Sequence, residues 1–226
     1  MKKHSQPWVV GIDLGGTYLR VAIVEPRSGR IIRSSKQKST SLNLSRFCDA
    51  LARAIGSHRS KIAAFGIAVP GFCDEARRRI LTTCEVVPFL ENCDLAARVE
   101  KRFGAKAIVD NDARAHTVGE FQYGGWGKPR SLVVLTLGTG VGLAWRIDGM
   151  LYPPPNHGAM GGHMAVAYQS GNPCYCGANG CLESLASGTA VSAAANERLA
   201  RFLPSRLTTR ASSEDVCRAG TSDGLA

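Results

Sequence analysis

His163-Met164-Ala165, followed by Cys174-Tyr175-Cys176-Gly177-Ala178-Asn179-Gly180-Cys181-Leu182-Glu183, is the most informative stretch of this chain. It brings one imidazole and three thiols into a short span, with two cysteines separated by one residue and a third five positions further on. Borderline and soft ligands of this kind suit a closed tetrahedral zinc site, which stabilises a fold and does no chemistry. The pattern therefore predicts a structural zinc site, called here the zinc knot, and the alternative is a loop of reduced cysteines. The predicted ligands are His163, Cys174, Cys176 and Cys181.

Two glycine-rich turns stand nearer the N-terminus, each after an apolar segment typical of a buried strand. The first is Asp13-Leu14-Gly15-Gly16-Thr17, and the second is Leu137-Gly138-Thr139-Gly140-Val141-Gly142. Glycine lets a phosphate approach backbone N–H groups closely, and the threonine hydroxyls add donors. No Gly-Lys-Ser/Thr follows either turn and a strand follows the second, so neither is a P-loop or a dinucleotide fingerprint. Each turn alone is equally compatible with an ordinary hairpin, whereas the pair predicts phosphate binding by Gly15, Gly16, Thr17, Gly138, Thr139 and Gly140.

Two aspartates stand where predicted strands end. Asp13 lies beside the first turn, where a carboxylate would repel phosphate without a cation, so we expect it to hold Mg²⁺ through water. The alternative for Asp13 is a turn cap. Asp112 follows Asn111 at a strand-to-helix corner. It suits either a general base for phosphoryl transfer, kept ionised with a low pKa by the helix N-terminus, or an ordinary helix N-cap.

The order of these segments resembles the signature of the ROK family, named for repressors, open reading frames and kinases. The zinc knot with its preceding Gly162, the two glycine turns and the segment from Val109 to Ala113 all agree with that signature in order along the chain. The resemblance implies an α/β, actin-like ATPase (ribonuclease H-like) fold of two lobes with mixed sheets. It also implies a hexose or amino-sugar substrate and ATP with Mg²⁺, bound in a cleft between the lobes.

The resemblance also implies roles for single residues. Asn111 and Asp112 match the family's sugar-binding asparagine and catalytic aspartate, which favours the general base over the N-cap. Asp112 itself, His163 and Glu183 match further sugar ligands, with one ring nitrogen of His163 on zinc and the other directed at the sugar. Pro70 and Gly71 end a segment that matches the floor of the same pocket.

The expected function is ATP-dependent phosphorylation of a hexose, glucokinase-like and at the 6-hydroxyl, with Asp112 as the base. Two positions depart from the family pattern: Met160 replaces a sugar-binding glutamate, and Val86-Val87-Pro88 replaces a common Asn-Leu-Pro. Nothing after Gly188 is expected to resemble the family's adenosine-binding segment, so the second lobe is expected to be incomplete. The alternative function is a degenerate, non-catalytic protein that binds or senses a sugar.

The sequence predicts two lobes, residues 1–128 and 129–226, because glycines and a proline cluster between residues 124 and 129. Apolar patterns predict three consecutive strands in residues 8–33, a strand at 62–69 and a short one at 107–109. Helices are expected after a Ser41 cap, at residues 95–103 and at 112–123, with a second hairpin at 131–147. An alanine-rich helix is expected at 190–202, and residues 204–226 are polar and weakly patterned.

Composition sets the broad class of the protein. With 226 residues that are 44% hydrophobic, the chain can bury one large domain or two modest ones. Scattered cysteines and the lack of a signal peptide or membrane span predict a cytoplasmic protein with reduced thiols. The net charge of +10 is spread along the chain, with Arg77-Arg78-Arg79 expected in a solvated loop or at a strand edge, so it suits polyphosphate ligands. Because only twelve residues precede Asp13, we expect no DNA-binding domain and no specific nucleic acid. The resemblance to the ROK family implies a homodimer, and the residues themselves do not fix the oligomeric state.

Overall fold

A computed structural model of the chain describes residues 7–83, 86–157, 159–169, 171–201, 207 and 210–221. The ten strands among these residues are β1 (Trp8–Leu14), β2 (Tyr18–Val24), β3 (Ile31–Lys38), β4 (Ile62–Val69), β5 (Phe72–Cys73), β6 (Ile80–Thr82), β7 (Lys106–Asn111), β8 (Ser131–Leu137), β9 (Val141–Ile147) and β10 (Met150–Tyr152).

Six α-helices accompany these strands in the same described ranges. They are all too short or too polar to traverse a lipid bilayer. The helices are α1 (Leu44–Ile55), α2 (Leu95–Phe103), α3 (Asp112–Tyr123), α4 (Leu182–Ala186), α5 (Gly188–Ala200) and α6 (Ser213–Thr221).

Strands β1 to β4 and β7 form one mixed sheet in the order β3-β2-β1-β4-β7. The first three strands are an antiparallel meander, as predicted, and β4 and β7 run parallel to β1. In the parallel part, Asp13 pairs with Ala68 and Ala68 pairs with Asp110, so β1, β4 and β7 end at a common level. The carboxyl ends of three strands thus meet at one edge of the sheet, where loops can carry functional side chains.

The core of this sheet is built from alternating apolar residues. Val10, Ile12 and Leu14 of β1 are at most 3% exposed, and they pack with buried residues of α1 and α2. The helices present apolar residues at helical spacing, including Phe47 and Leu51 of α1, which are fully buried. Burial of such side chains is the main stabilising contribution to a fold of this size.

Contacts between residues divide the chain into two compact units. The first contains Met1–Val134 and Ala144–Ala159, and the second contains Leu135–Leu143 and Met160–Ala226. The first unit holds the five-stranded sheet, α1 to α3 and the small antiparallel pair β5 and β6. A three-stranded sheet has the order β10-β9-β8, with β10 antiparallel to β9. The second unit holds the zinc knot with α4 to α6.

Two local predictions are wrong, and a third is resolved between its two alternatives. Asn43, and not Ser41, caps α1, because its Oδ1 accepts the N–H of Arg46 at 2.9 Å. Of the two places expected for Arg77-Arg78-Arg79, the structure agrees with the strand edge: the N–H of Val109 in the outer strand β7 donates to the carbonyl of Arg77, and Arg78 pairs with Glu100 of α2 at 2.8 Å. The C-terminal segment, expected to be weakly patterned, contains α6.

Candidate active site and zinc centre

The edge of the five-stranded sheet collects the predicted residues of the first unit. Asp13 lies in β1, Pro70 and Gly71 follow β4, and Asn111 and Asp112 join β7 to α3. Gly71 has a φ of +89°, and a Cβ there would lie 2.1 Å from the carbonyl oxygen of Thr82. Only glycine fits this position, because the left-handed conformation and the backbone contact both exclude a side chain.

Asn111 ties this edge together. It is 3% exposed, and its Nδ2 donates to the carbonyl oxygen of Gly71 at 3.0 Å. Its Oδ1 accepts the N–H of Arg114 at 3.2 Å, so Asn111 is the N-cap of α3. The predicted sugar-binding asparagine therefore fixes the pocket loop to the start of the helix, and the second N–H of its amide remains for a ligand.

Asp112 is the first residue of α3 and not its N-cap. Its Oδ1 accepts the N–H of Ala113 at 2.8 Å. Burial raises the pKa of Asp112, the nearby Asp13 carboxylate adds to the rise, and the hydrogen bond from Ala113 opposes it. The expectation of a low pKa is wrong, because burial outweighs the favourable effect of the helix N-terminus. A carboxylate with a raised pKa is a stronger proton acceptor, which is the property a general base requires.

A buried ion pair that the sequence reasoning missed lies next to this corner. Arg114 is 4% exposed, and its Nε donates to Oδ1 of Asp110 at 2.6 Å. Its Nη1 also donates to the carbonyl oxygen of Pro153, after β10. Asp110 lies in β7 and Arg114 in α3, so the helical i,i+4 rule does not apply and the spacing alone could not have indicated the pair.

We predict that Arg114→Ala lowers the free energy of unfolding by about 3 kcal/mol, because it leaves the carboxylate of Asp110 buried and without its main partner. Chemical denaturation would measure this change. Arg201→Ala is the matched control, since Arg201 pairs with Glu197 at the same spacing but both side chains are more than half exposed. The control should cost about 1 kcal/mol or less. Equal costs for the two variants would contradict a structural role for the buried pair.

The first glycine turn, Gly15-Gly16-Thr17, joins β1 to β2. The N–H of Gly15 donates to the carbonyl oxygen of Tyr18 at 3.0 Å, which closes the turn. A Cβ on Gly16 would lie 3.0 Å from the Val86 side chain, which replaces the polar residue of the family pattern. Asp13 pairs through Oδ2 with Arg20 at 2.8 Å, and its Oδ1 has no hydrogen bond to any described residue. One carboxylate oxygen thus remains for a hydrated Mg²⁺, whose preferred ligands are oxygens.

The second glycine turn, Gly138-Thr139-Gly140, is held within the second unit. The N–H of Gly138 donates to the carbonyl oxygen of Gly140 at 3.0 Å, which closes this turn too. Glu183, expected on the sugar, accepts the N–H of Val141 on Oε2 at 2.7 Å. The structure therefore brings this predicted sugar ligand against the predicted phosphate turn.

The four predicted zinc ligands lie together. Each of these residues offers one ligand atom, a ring nitrogen or a Sγ, and the four atoms lie within 4.8 Å of one another. The residues are His163, Cys174, Cys176 and Cys181. The Sγ atoms of Cys176 and Cys181 are 3.7 Å apart, and Sγ of Cys174 is 3.4 Å from Nδ1 of His163. A tetrahedral ion with Zn–S bonds of about 2.3 Å would separate two sulfurs by about 3.8 Å. The donor set and its spacing therefore fit zinc.

Two further features suit the knot to a metal. The backbone N–H of Ala178 lowers the pKa of Cys176, which favours the thiolate that binds metal. Nε2 of His163, expected to face the sugar, lies 3.0 Å from the Tyr175 hydroxyl. A hydrogen bond on the outer ring nitrogen orients an imidazole so that the other nitrogen faces a metal.

Glycines before His163 allow its short turn to pack on β9. A Cβ on Gly162 would lie 2.2 Å from the carbonyl oxygen of Val141, and one on Gly161 would lie 2.2 Å from the Leu143 side chain. Met160, where the family pattern has glutamate, forms an isolated parallel bridge with Leu143. The sequence Met160-Gly161-Gly162-His163 thus runs closely along the strand and fixes the position of the first zinc ligand.

Comparison with known proteins identifies relatives of two kinds. The chain is 32% identical over 216 residues to a glucokinase of Halalkalibacterium halodurans, a match that covers 90% of this chain and 63% of that protein. The structure matches a ROK family glucokinase from Streptomyces griseus in complex with glucose and AMPPNP, with a TM-score of 0.77, 26% identity, and coverage of 96% and 72%. It also matches a ROK family transcriptional regulator, a homologue of the E. coli MLC protein, with a TM-score of 0.81, 24% identity, and coverage of 96% and 56%.

These matches confirm the predicted fold and define the extent of the likeness. The architecture is the actin-like ATPase fold of the ROK kinases. The chain spans 63% of the length of the first glucokinase and 66% of that of Streptomyces coelicolor. The sequence pattern of the ROK family matches residues 9–221. The alanine-rich helix expected at residues 190–202 is α5, Gly188–Ala200. With its family pattern, its fold and its clustered His-Cys₃ ligands in agreement, the chain belongs to the ROK family.

Proposed function

We propose that this protein catalyses the ATP-dependent phosphorylation of a hexose at its 6-hydroxyl. The observation that carries the proposal is the position of Asp112, at the carboxyl edge of the mixed sheet with a pKa raised by burial. Its Oδ1 is fixed by the N–H of Ala113, and the neighbouring Asn111 is locked by its contacts with Gly71 and Arg114. A rigid, basic carboxylate beside a pocket loop suits an acceptor for the proton of a sugar hydroxyl.

In the proposed reaction, the oxygen of the sugar hydroxyl attacks the γ-phosphorus of ATP, and the bond from that phosphorus to the bridging oxygen breaks to release ADP. Asp112 accepts the hydroxyl proton as the new bond forms. Asn111, His163, Glu183, Pro70 and Gly71 would position the sugar. The N–H groups of the glycine turns would bind the phosphates, and Asp13 would hold Mg²⁺ through water. Magnesium supplies charge neutralisation on the phosphates.

The remaining parts of the proposal concern architecture and partners. Zinc would be structural, held by His163 and three cysteines, and would brace the segment that carries Glu183. We infer two lobes, residues 1–128 and 129–226. A hexose or amino sugar and ATP are the proposed partners, without specific nucleic acid or membrane. A homodimer and a cytoplasmic location belong to the same proposal.

The site of transfer can be tested by analysis of the product. Incubation with Mg·ATP and glucose, mannose or N-acetylglucosamine should give a sugar 6-phosphate, which phosphorus NMR identifies by its coupling to the protons on carbon 6. Phosphate on another sugar oxygen would be consistent with the proposed kinase activity and would contradict transfer to the 6-hydroxyl. If no hexose gave a sugar phosphate, both the kinase activity and the 6-hydroxyl assignment would be contradicted.

The second candidate function is a sugar-binding or sensing protein without turnover. The observation that favours it is Met160, which replaces a carboxylate that would hydrogen-bond sugar hydroxyls and whose loss could cost about 1.5–3 kcal/mol of binding. Calorimetric titration with the same sugars distinguishes the two functions. A sugar that binds equally to the parent and to Asp112→Asn, without ADP release from the parent, would favour the sensor.

A further inference from the structure

The carboxylate of Glu183 makes a contact that its predicted sugar-binding role does not explain. Its Oε2 accepts the N–H of Val141 at 2.7 Å, directly after the second glycine turn. A hydrogen bond from a backbone N–H to an ionised carboxylate is among the stronger ones in proteins. Both residues belong to the second unit, together with the turn itself.

The same turn is held on its carbonyl side by the start of α5. The N–H of Gly188 donates to the carbonyl oxygen of Gly138 at 2.8 Å, and Oγ1 of Thr189 donates to that of Thr139 at 2.8 Å. The N–H groups of Thr139 and Gly140 make no hydrogen bond to any residue that the structure describes. Helix α5 therefore occupies the carbonyl oxygens of Gly138 and Thr139, which would repel an anion, and the N–H groups of Thr139 and Gly140 remain available to one.

Steric fit ties Gly140 specifically to Glu183. A Cβ on Gly140 would lie 2.5 Å from Oε2 of Glu183, whereas a Cβ on Gly138 would meet nothing within 4 Å. Neither glycine has a positive φ, so both backbones accept alanine. The absence of a side chain at position 140 is thus what allows the carboxylate to reach Val141.

Glu183 is itself fixed by the zinc knot. The N–H of Leu182 donates to the carbonyl oxygen of Met164 at 2.9 Å, next to the ligand His163. Oγ of Ser184 donates to the carbonyl oxygen of the ligand Cys181 at 2.8 Å. Leu182 and Ser184 thus fix the backbone on either side of Glu183, and this defines the position of its Cα relative to the zinc knot.

We propose that Glu183 is a positioning residue for the second glycine turn. Oε2 fixes the N–H of Val141, which sets the conformation in which the N–H groups of Thr139 and Gly140 face an incoming phosphate. Oε1, which has no hydrogen bond to a described residue, remains for a sugar hydroxyl. One carboxylate would then connect sugar recognition to the phosphate turn. The phosphate and sugar parts of this statement rest on the proposed function, and the contact with Val141 does not.

Amide hydrogen exchange of Val141, followed by NMR in the zinc-loaded full chain, tests the contact without any assay of activity. In Glu183→Ala the amide should exchange about ten- to a hundredfold faster, because a charge-assisted hydrogen bond is lost. Glu183→Gln should stay within about threefold of the parent, since the amide oxygen still accepts. Gly140→Ala should behave like Glu183→Ala by displacing the carboxylate, and Gly138→Ala is the matched control that should leave Val141 protected.

Titration of the same variants with Mg·ADP tests the consequence for phosphate binding. The dissociation constant should rise about tenfold in Glu183→Ala and Gly140→Ala, and stay within about threefold in Glu183→Gln. The positioning role would be overturned if the amide of Val141 exchanged at the parent rate in Glu183→Ala. It would also be overturned if Glu183→Gln and Gly138→Ala lost as much protection at Val141 as Glu183→Ala does. If exchange follows the predicted pattern but even the parent binds no Mg·ADP, the positioning role stands and the kinase proposal fails.

Discussion

Replacement of Asp112 by asparagine is expected to lower the rate of phosphoryl transfer by about 10²–10⁴-fold, the usual contribution of a general base. Asparagine has nearly the same shape, and its Oδ1 can still accept the N–H of Ala113. Sugar binding should therefore fall much less than turnover. Steady-state kinetics with the preferred hexose would measure the change, and a loss confined to KM would show that Asp112 only binds the sugar.

The same variant should be more stable than the parent at neutral pH. Because burial raises the pKa of Asp112 in the folded state, the parent loses stability as pH rises above the ordinary aspartate value of 3.8. Asparagine carries no charge, so that loss disappears. Thermal unfolding should show a higher Tm for Asp112→Asn at pH 7 and a smaller difference at pH 4. A lower Tm at pH 7 would contradict the direction of the pKa shift.

Loss of the zinc knot should be the largest structural effect. Cys181 is fully buried and lies two residues before Glu183. Cys181→Ser should remove bound zinc and unfold the segment from His163 to α4, because structural zinc contributes folding free energy directly. The free energy of unfolding of the second unit should fall by more than about 3 kcal/mol, within the range known for structural metal sites.

Atomic absorption would measure the loss of zinc from Cys181→Ser, and thermal unfolding would measure the accompanying loss of stability. Cys217→Ser is the matched control, since this exposed cysteine of α6 lies outside the knot and should leave one zinc per chain. A full zinc content in Cys181→Ser would contradict the assigned ligand set. A chain that lost zinc and kept its Tm would contradict the structural role.

Patterns with strict chemical or steric requirements were predictable from sequence. The zinc knot could be recognised because few residue types bind zinc and their spacing is short. The hairpin turns at Gly15 and Gly138 could be recognised because glycine stood between two apolar segments. Strands β1 and β4 were predicted from apolar runs and β2 from alternating apolar residues, and all three contribute buried residues to the core. These features depend on residues that are close together along the chain, so they can be recognised without knowledge of tertiary contacts.

Features that depend on tertiary contacts were not predictable. The pKa of Asp112 is raised because of burial, which the helix position alone does not indicate. The partner of Arg114 after β10, the carbonyl of Pro153, is 39 residues away along the chain. Glu183 reaches Val141 across 42 residues. Ser41 and Asn43 are both competent caps, and the sequence does not show that α1 begins at Leu44, which makes Asn43 the cap.

Hexose-dependent release of ADP is the most direct test of the central claim that Asp112 serves phosphoryl transfer to a sugar. The zinc-loaded chain should release ADP from Mg·ATP when a hexose is added, and Asp112→Asn should reduce that rate to near the background without sugar. Equal release by the two proteins, or none from the parent with any hexose that binds, would contradict the account.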